Sequence, residues 1–313
     1  MARSKLKIGT RGSLLALRQS QSVQKALESF WPDLEVELRI IKTTGDRILD
    51  VPLARVGGKG LFVKEIEDAL LAGQVDLAVH SIKDVPSILP DGLEIGAVPQ
   101  RDDPRDVMVI REGETLDDLP PGARVGTSSL RRAAQLRRER PDIEVLNLRG
   151  NLDTRLRKLQ EGRYDAVVLA AAGLHRLGWE DRITLYLDPS RFIPAVGQGA
   201  IGIEVRKGDS HVAEQIQPLH HEVTACAVRA ERSFLRELEG GCQVPIGGHA
   251  RMENGMIRLS GLVASLDGLE VHSMTAEAPV EEAEPLGRRV ARRLLEAGGR
   301  DILEKIYAKS TAG

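Results

Sequence analysis

The sequence predicts an α/β fold made of two similar doubly wound domains, with a small α+β domain at its C-terminal end. Three features predict it. Short β-branched runs alternate with amphipathic helical stretches through the first two-thirds of the chain, the mark of helix-and-sheet layers. Two short motifs recur there in the same order. From about His220 the pattern changes to a helix, a glycine-rich loop, two strand-like runs and a closing helix. At 313 residues the chain is long enough for two or three separate cores.

Taken in order, Lys5 to Ile8 reads as a strand, and Ser13 to Phe30 as a helix opened by a capping serine. Val36 to Lys42 is a second strand. Leu61 to Ala72 has helical periodicity, and Asp76 to Val79 is a short apolar run that reads as a buried strand. Strands are then expected at Val107 to Ile110, Arg124 to Gly126, Glu144 to Leu148 and Ala166 to Ala170. Helices are expected from about Ser129 and from about Leu152. Ala200 to Val205 is a further strand. In the tail, Val223 to Leu238 is a helix, Ile257 to Ala264 and Leu269 to Ala276 are strands, and a helix starts at Glu281.

The repeat supports the two-domain reading. Ile8-Gly9-Thr10, followed by Ser13-Leu14, is echoed by Val125-Gly126-Thr127, followed by Ser129-Leu130. Gly73-x-x-Asp76-Leu77-Ala78-Val79 is echoed by Gly162-x-x-Asp165-Ala166-Val167-Val168. The polar, proline-bounded stretch Val98 to Pro104 suits a crossover between the two copies. A return crossover is expected at Phe192 to Gly199. The expected domains are therefore 1–99 with 200–217, 105–193, and 222–313.

Composition narrows the function. Formal net charge is −2 and aromatic residues make up 3%, which argues against a nucleic-acid partner. Two cysteines cannot form a disulfide framework and fit a reducing compartment. The first residues carry no secretory apolar segment, and no stretch reaches the roughly 20 apolar residues of a membrane span, so a cytoplasmic, non-membrane protein is expected. No His/Cys cluster has metal-ligand spacing, and neither a Walker phosphate loop nor a G-x-S-x-G elbow is present. About three-quarters of the 44 basic residues are arginine, the side chain suited to gripping planar anions at two points.

Cys242 is the most distinctive residue, set in Glu239-Gly240-Gly241-Cys242-Gln243-Val244-Pro245-Ile246-Gly247-Gly248. Glycines on both sides let the backbone bring a thiol close to a ligand, although a plain turn would use the same residues. Cys226, in a helical stretch, reads instead as a small buried hydrophobe. Each echoed Gly-Thr motif places hydroxyls and free N–H groups at a helix start, which favours carboxylate or phosphate. Arg11 and Ser13 lie at the first, and Thr127, Ser128, Ser129, Arg131 and Arg132 at the second. Ser13 and Ser129 also read simply as helix caps. Arg149 and Arg155 belong to the same sheet edge. Arg137, Arg138, Arg140 and Arg157 read as surface arginines. The stretch His80-Ser81-Ile82-Lys83-Asp84 puts an ammonium and a carboxylate just after a buried strand, and the second copy has only Ala170-Ala171-Ala172-Gly173. Asp84 is accordingly the candidate for stabilising a developing cation or moving a proton, with a turn-capping aspartate as the alternative. Arg55 and Lys59, in the glycine-rich stretch between Arg47 and Gly60, suit a lid over an anion.

Ile8-Gly9-Thr10-Arg11-Gly12-Ser13, His80-Ser81-Ile82-Lys83-Asp84, Gly126-Thr127-Ser128-Ser129-Leu130-Arg131-Arg132, Arg149-Gly150-Asn151 and Glu239-Gly240-Gly241-Cys242 together resemble the porphobilinogen deaminase (hydroxymethylbilane synthase) family, in collinear order over nearly the whole chain. Arg55 departs from the lysine that relatives often carry there. The resemblance implies a dipyrromethane cofactor joined to Cys242 by a thioether. It further implies head-to-tail addition of four porphobilinogen units with loss of ammonia, and hydrolytic release of hydroxymethylbilane for tetrapyrrole and heme synthesis. It gives Asp84 the catalytic role. Ser13, Lys83, Asp84, Thr127, Ser129, Arg131, Arg132 and Arg149 become cofactor contacts, and Arg11, Ser13, Arg149, Arg155 and Gln198 substrate contacts. A monomer is expected. The two-domain plan also resembles type II periplasmic binding proteins, leaving a pure anion receptor as one alternative; a thiol hydrolase using Cys242 with His249 or His80 is the other.

Overall fold

A computed structural model of the chain describes residues 4–47, 63–239 and 244–311. Its strands, in chain order, are β1 (Ser4–Thr10), β2 (Leu34–Ile40), β3 (Leu77–Ser81), β4 (Leu93–Ala97), β5 (Asp106–Ile110), β6 (Arg124–Gly126), β7 (Glu144–Leu146), β8 (Ala166–Ala170), β9 (Leu185–Tyr186), β10 (Ile201–Arg206), β11 (Ile246–Glu253), β12 (Met256–Ala264) and β13 (Val271–Pro279). The main helices are α1 (Leu14–Phe30), α2 (Lys64–Leu71), α3 (Leu130–Glu139), α4 (Leu152–Gln160), α5 (Ala171–His175), α6 (Ser210–Ile216), α7 (Glu222–Glu237), α8 (Ala283–Leu294) and α9 (Arg300–Thr311).

The chain forms two compact units. The first takes in the described residues of 4–102 together with 200–225. Its sheet runs β2-β1-β3-β10-β4, with β1 parallel to β2 and β3, and β10 antiparallel to β3 and β4. Leu6, Ile8, Leu77, Val79, Ile203 and Val205 pack with Val23 and Leu27 of α1 and Val212 and Ile216 of α6. Ala78 and Leu93 pack with Ile66, Ala69 and Leu70 of α2.

The second unit takes in the described residues of 103–199 and 226–311. Its larger sheet, β7-β6-β8-β5-β9, repeats the first strand for strand, with β5 in the antiparallel position that β10 holds in the first unit. The echo in the sequence has a local cause. Asp76 accepts a hydrogen bond from the Lys7 amide at 2.8 Å, and Asp165 accepts one from the Arg124 amide at 2.9 Å. Ile8 and Gly9 pair with Leu77 and Ala78, as Val125 and Gly126 pair with Ala166 and Val167. In both copies the carboxylate before one central strand ties that strand to its neighbour, at Lys7 midway along β1 and at Arg124, the first residue of β6. Each crossover feeds the antiparallel strand, β5 on the way out and β10 on the return.

The tail supplies an antiparallel three-stranded sheet, β11-β12-β13, with Phe234 of α7 and Leu286 and Val290 of α8 buried against Ile257 and Leu259. Cys226 is fully buried in that core, with its sulfur 3.6 Å from the Val280 carbonyl. Strand β11 begins within the stretch that the sequence marks as a glycine-rich loop, because Gly247 and Gly248 look like turn residues. They are strand glycines needed for close packing: a Cβ at Gly248 would lie 2.8 Å from Val196 and 3.0 Å from Phe234. Strands β4 and β9 and helices α5 and α6 also escaped the sequence reading. No helix among the described residues is long and apolar enough to cross a membrane.

Candidate functional site

In the first unit, β1 and β3 are parallel, so their C-terminal ends share one edge of the sheet. Leaving β1, the chain passes Arg11 to Ser13, whose hydroxyl accepts the Ala16 amide at 3.3 Å and caps α1. Leaving β3, Ser81 accepts from Gln19 of α1 at 2.8 Å. The turn Ile82–Asp84 follows, held by the Ile82 amide on the Ala200 carbonyl at 3.0 Å. Arg11, Ser13, Lys83 and Asp84 are thus brought to one edge, each half-buried.

The second unit repeats the arrangement. Buried Thr127 follows β6 and accepts the Ser129 amide at 3.2 Å, and Ser129 caps α3. After β7 the chain turns at Gly150, whose φ of 112° is left-handed and whose missing Cβ leaves room for Thr154. Arg155 Nε donates to the Gly150 carbonyl at 2.8 Å, and Lys158 to the Arg149 carbonyl at 3.0 Å. Thr127, Ser129, Arg149 and Arg155 therefore lie at the edge equivalent to the one carrying Arg11 and Asp84.

Arg131 and Arg132 are more deeply placed than the sequence implied, at 3% and 6% exposure. Both grip Asp106, which is fully buried at the start of β5: Arg131 Nη1 donates to Oδ2 at 2.6 Å, and Arg132 Nε to Oδ1 at 2.9 Å. Gln198, also buried, donates to Asp106 Oδ1 at 2.9 Å and to the Pro104 carbonyl at 2.7 Å. Burial alone would push the Asp106 carboxyl up; Arg131 and Arg132 outweigh it and hold Asp106 well below the usual carboxylate range. Burial moves Arg132 down despite Asp106. Two cations around one carboxylate leave the cluster net positive. Arg131 Nε is buried and has no hydrogen-bond partner among the described residues. Asp106 was missed by the sequence reading; its only signal was a carboxylate opening an otherwise apolar strand.

Of the arginines read as surface decoration, Arg157 pairs with Glu161 on α4. Arg137 instead ties α3 to the Leu266 carbonyl near the three-stranded sheet, and Arg140 holds the Leu116 and Leu119 carbonyls. His80 is engaged with Glu204 at 3.0 Å. Cys242, Arg55 and Lys59 lie outside the described residues.

Two sheets of one plan, each bearing a capped helix start and basic side chains at the same edge, define a duplicated α/β protein. Residues 6–214 match the family model described as porphobilinogen deaminase, dipyromethane cofactor binding domain, and residues 225–296 match porphobilinogen deaminase, C-terminal domain. The chain is 64% identical over 302 residues to the porphobilinogen deaminase of Syntrophobacter fumaroxidans, covering 96% of this chain and 98% of that protein. It is 55% identical over 304 residues to that of Pelobacter propionicus (97% and 98%) and 51% identical over 312 residues to that of Geobacter sulfurreducens (100% and 98%). Among solved structures, a TRAP periplasmic solute binding protein from Desulfovibrio salexigens aligns at a TM-score of 0.42 and 12% identity, over 70% of this chain and 73% of that one. The chain belongs to the porphobilinogen deaminase family. It is a transferase of tetrapyrrole synthesis that joins porphobilinogen units head to tail with release of ammonia, and it takes a dipyrromethane cofactor.

The residues present fit that group. A dipyrromethane made from porphobilinogen carries acetate and propionate side chains, so its holder must neutralise carboxylates. The net positive Arg131–Arg132–Asp106 cluster, with its unpartnered buried Nε, has donor capacity for an anion.

Proposed function

We propose that the chain divides this chemistry between two like sheet edges, with Cys242 as the thioether anchor of the cofactor. The observation that carries the reading is the difference between the edges. Both carry a capped helix start and basic side chains, and the first alone of the two adds a Lys-Asp turn. When bound, dipyrromethane supplies the electron-rich pyrrole carbon that extends the chain. Ser13, Lys83, Asp84, Thr127, Ser129, Arg131, Arg132 and Arg149 would hold it. Arg11, Ser13, Arg149 and Arg155 receive the carboxylates of incoming porphobilinogen, with Arg55 and Lys59 as the lid cations. Buried Gln198, expected as a substrate contact, instead spends its amide group on Asp106 and the Pro104 carbonyl and acts from behind the cluster.

Asp84 is the catalytic group. Ammonia leaves the aminomethyl carbon of porphobilinogen as the carbon–nitrogen bond breaks, and positive charge spreads over that pyrrole. A carboxylate at the sheet edge stabilises this charge through the pyrrole N–H. A charge-assisted contact between one arginine and one carboxylate contributes about 1.5–3 kcal/mol when partly desolvated, so affinity is shared among several cations. The chain is read as a cytoplasmic monomer, and its balanced charge and scarcity of aromatic residues support the absence of a nucleic-acid partner.

Intact mass tests the anchor. The purified protein should weigh more than its translated chain by a two-pyrrole group, and Cys242→Ser should lack the increment and the turnover. Full turnover by that variant would remove Cys242 from the role.

A further inference from the structure

The first unit buries three titratable side chains that neither edge uses. His80 Nε2 lies 3.0 Å from Glu204 Oε2, at 5% and 0% exposure. Glu67 of α2 is 5% exposed. Glu204 Oε1 and Glu67 Oε1 are buried with no hydrogen-bond partner among the described residues. The sheet brings the three together. Ala78 packs with α2, His80 lies two residues on and so shares its face, and Glu204 is registered opposite Ala78. Burial, followed by the charge of Glu204, raises Glu67 to about 7. The other charged groups on the packed elements are Lys64, Glu65 and Asp68 of α2, Lys5 and Lys7 of β1, Glu94 of β4, Arg206 of β10, and Asp76 before β3.

The fold itself does not require this cluster. The matched motifs set the correspondence between units: Gly73 with Gly162, Asp76 with Asp165, and Leu77 with Ala166. On that register Glu67 corresponds to Leu156, His80 to Leu169 and Glu204 to Val109, three apolar residues that pack together in the second unit. Buried carboxylates with bare oxygens are costly where an apolar core would serve. The cost falls on the unit whose β3 continues into Lys83 and Asp84.

We propose that His80 and Glu204, backed by Glu67, form a buried positioning cluster for the Lys83–Asp84 turn; the inference rests on the catalytic reading of Asp84. His80 is pegged to β10 through Glu204, and Ser81 to α1 through Gln19, just before the turn begins. The two pegs grip β3 through consecutive residues, which point to opposite faces.

The test installs the second unit's own residues, making the triple variant Glu67→Leu, His80→Leu, Glu204→Val and comparing it as holoenzyme with the parent and with Asp84→Asn. Misplacing a reacting group by about 1 Å can cost about 100-fold, so the triple variant is expected to lose about 10–100-fold in kcat with KM within about twofold. His80→Gln, which keeps a donor for Glu204, should stay within about threefold of the parent. Parental kcat in the triple variant, or equal losses in His80→Gln and His80→Leu, would overturn the inference. If the triple variant yields no holoenzyme, His80→Leu alone is read by the same criterion. Normal turnover by Asp84→Asn would instead sink the reading beneath it, whereas loss in Asp84→Asn alone would sink only the positioning cluster.

Discussion

Replacing Asp106 with asparagine strips the charge from a carboxylate enclosed by two buried guanidiniums. Arg131 and Arg132 each donate to it at 2.6–2.9 Å, and Gln198 Nε2 adds a third donor at 2.9 Å. Asparagine can still accept at one oxygen, but its amide group then meets an N–H donor. Both arginines lose their anion while remaining at 3% and 6% exposure. Removing one partner of such a buried pair costs about 3–5 kcal/mol, because the remaining charge stays out of water. For a protein of this size that corresponds to a drop in Tm on the order of 10 °C. The pH dependence gives a second check. Since the folded pKa of Asp106 is depressed, its contribution is complete above the ordinary value of 3.8 and fades as pH falls toward the folded value. Scanning calorimetry of parent and Asp106→Asn should give a constant gap from pH 5 to pH 8 that narrows on acidification below about pH 4. Equal Tm at pH 7, or a gap that widens in acid, would refute the argument that Asp106 is an ionised counterion.

Glu67→Gln should respond to pH in the opposite sense. Glu67 is raised from 4.5 to about 7, so the parent loses stability as pH climbs between those values and levels off above them. Relative to its standing at pH 4, the glutamine variant should gain about 3 kcal/mol on the parent by pH 8, and parallel stability curves would show that Glu67 ionises normally. Arg149→Ala should impair cofactor assembly or elongation, seen as reduced two-pyrrole mass or an altered distribution of pyrrole chain lengths. An unaffected profile would return Arg149 to the protein surface.

Much of the layered plan was legible because local pattern dictated it. Arg124 to Gly126 and Ala166 to Ala170 are strands with the expected ends, and Ser13 and Ser129 cap the helices expected to follow them. The repeat was legible because the same aspartate contact recurs in both units. Glycine misled the reading of β11, where it permits close packing instead of turning the chain. The partners of Arg131, Arg132 and His80 could not be read locally. Asp106, Gln198 and Glu204 reach them only through sheet register and the two crossovers, 25 to 124 residues away in sequence. Pattern located the basic residues at the sheet edge; only the fold revealed which of them the protein holds with its own carboxylate.

A duplicated fold separates what the architecture needs from what the chemistry adds, since equivalent positions bear the same structural load. The first unit is polar at Glu67, His80, Lys83, Asp84 and Glu204, where the second has Leu156, Leu169, Ala172, Gly173 and Val109. The reverse holds at the other cluster. Aligning Ser13-Leu14 with Ser129-Leu130 sets Arg131 and Arg132 against Leu15 and Ala16, and strand register sets Asp106 against Ile201. Each unit therefore demonstrates that the other's polar cluster is dispensable for folding this topology. Both clusters also border the antiparallel strand reached by a crossover, β10 in one unit and β5 in the other. Polar residues in a core survive where they serve something beyond stability, and here they have diverged into carboxylates and imidazole in one copy and guanidiniums in the other. This divergence supports the proposed division, in which cation-stabilising chemistry belongs to the first unit and the guanidinium cluster that favours carboxylates belongs to the second.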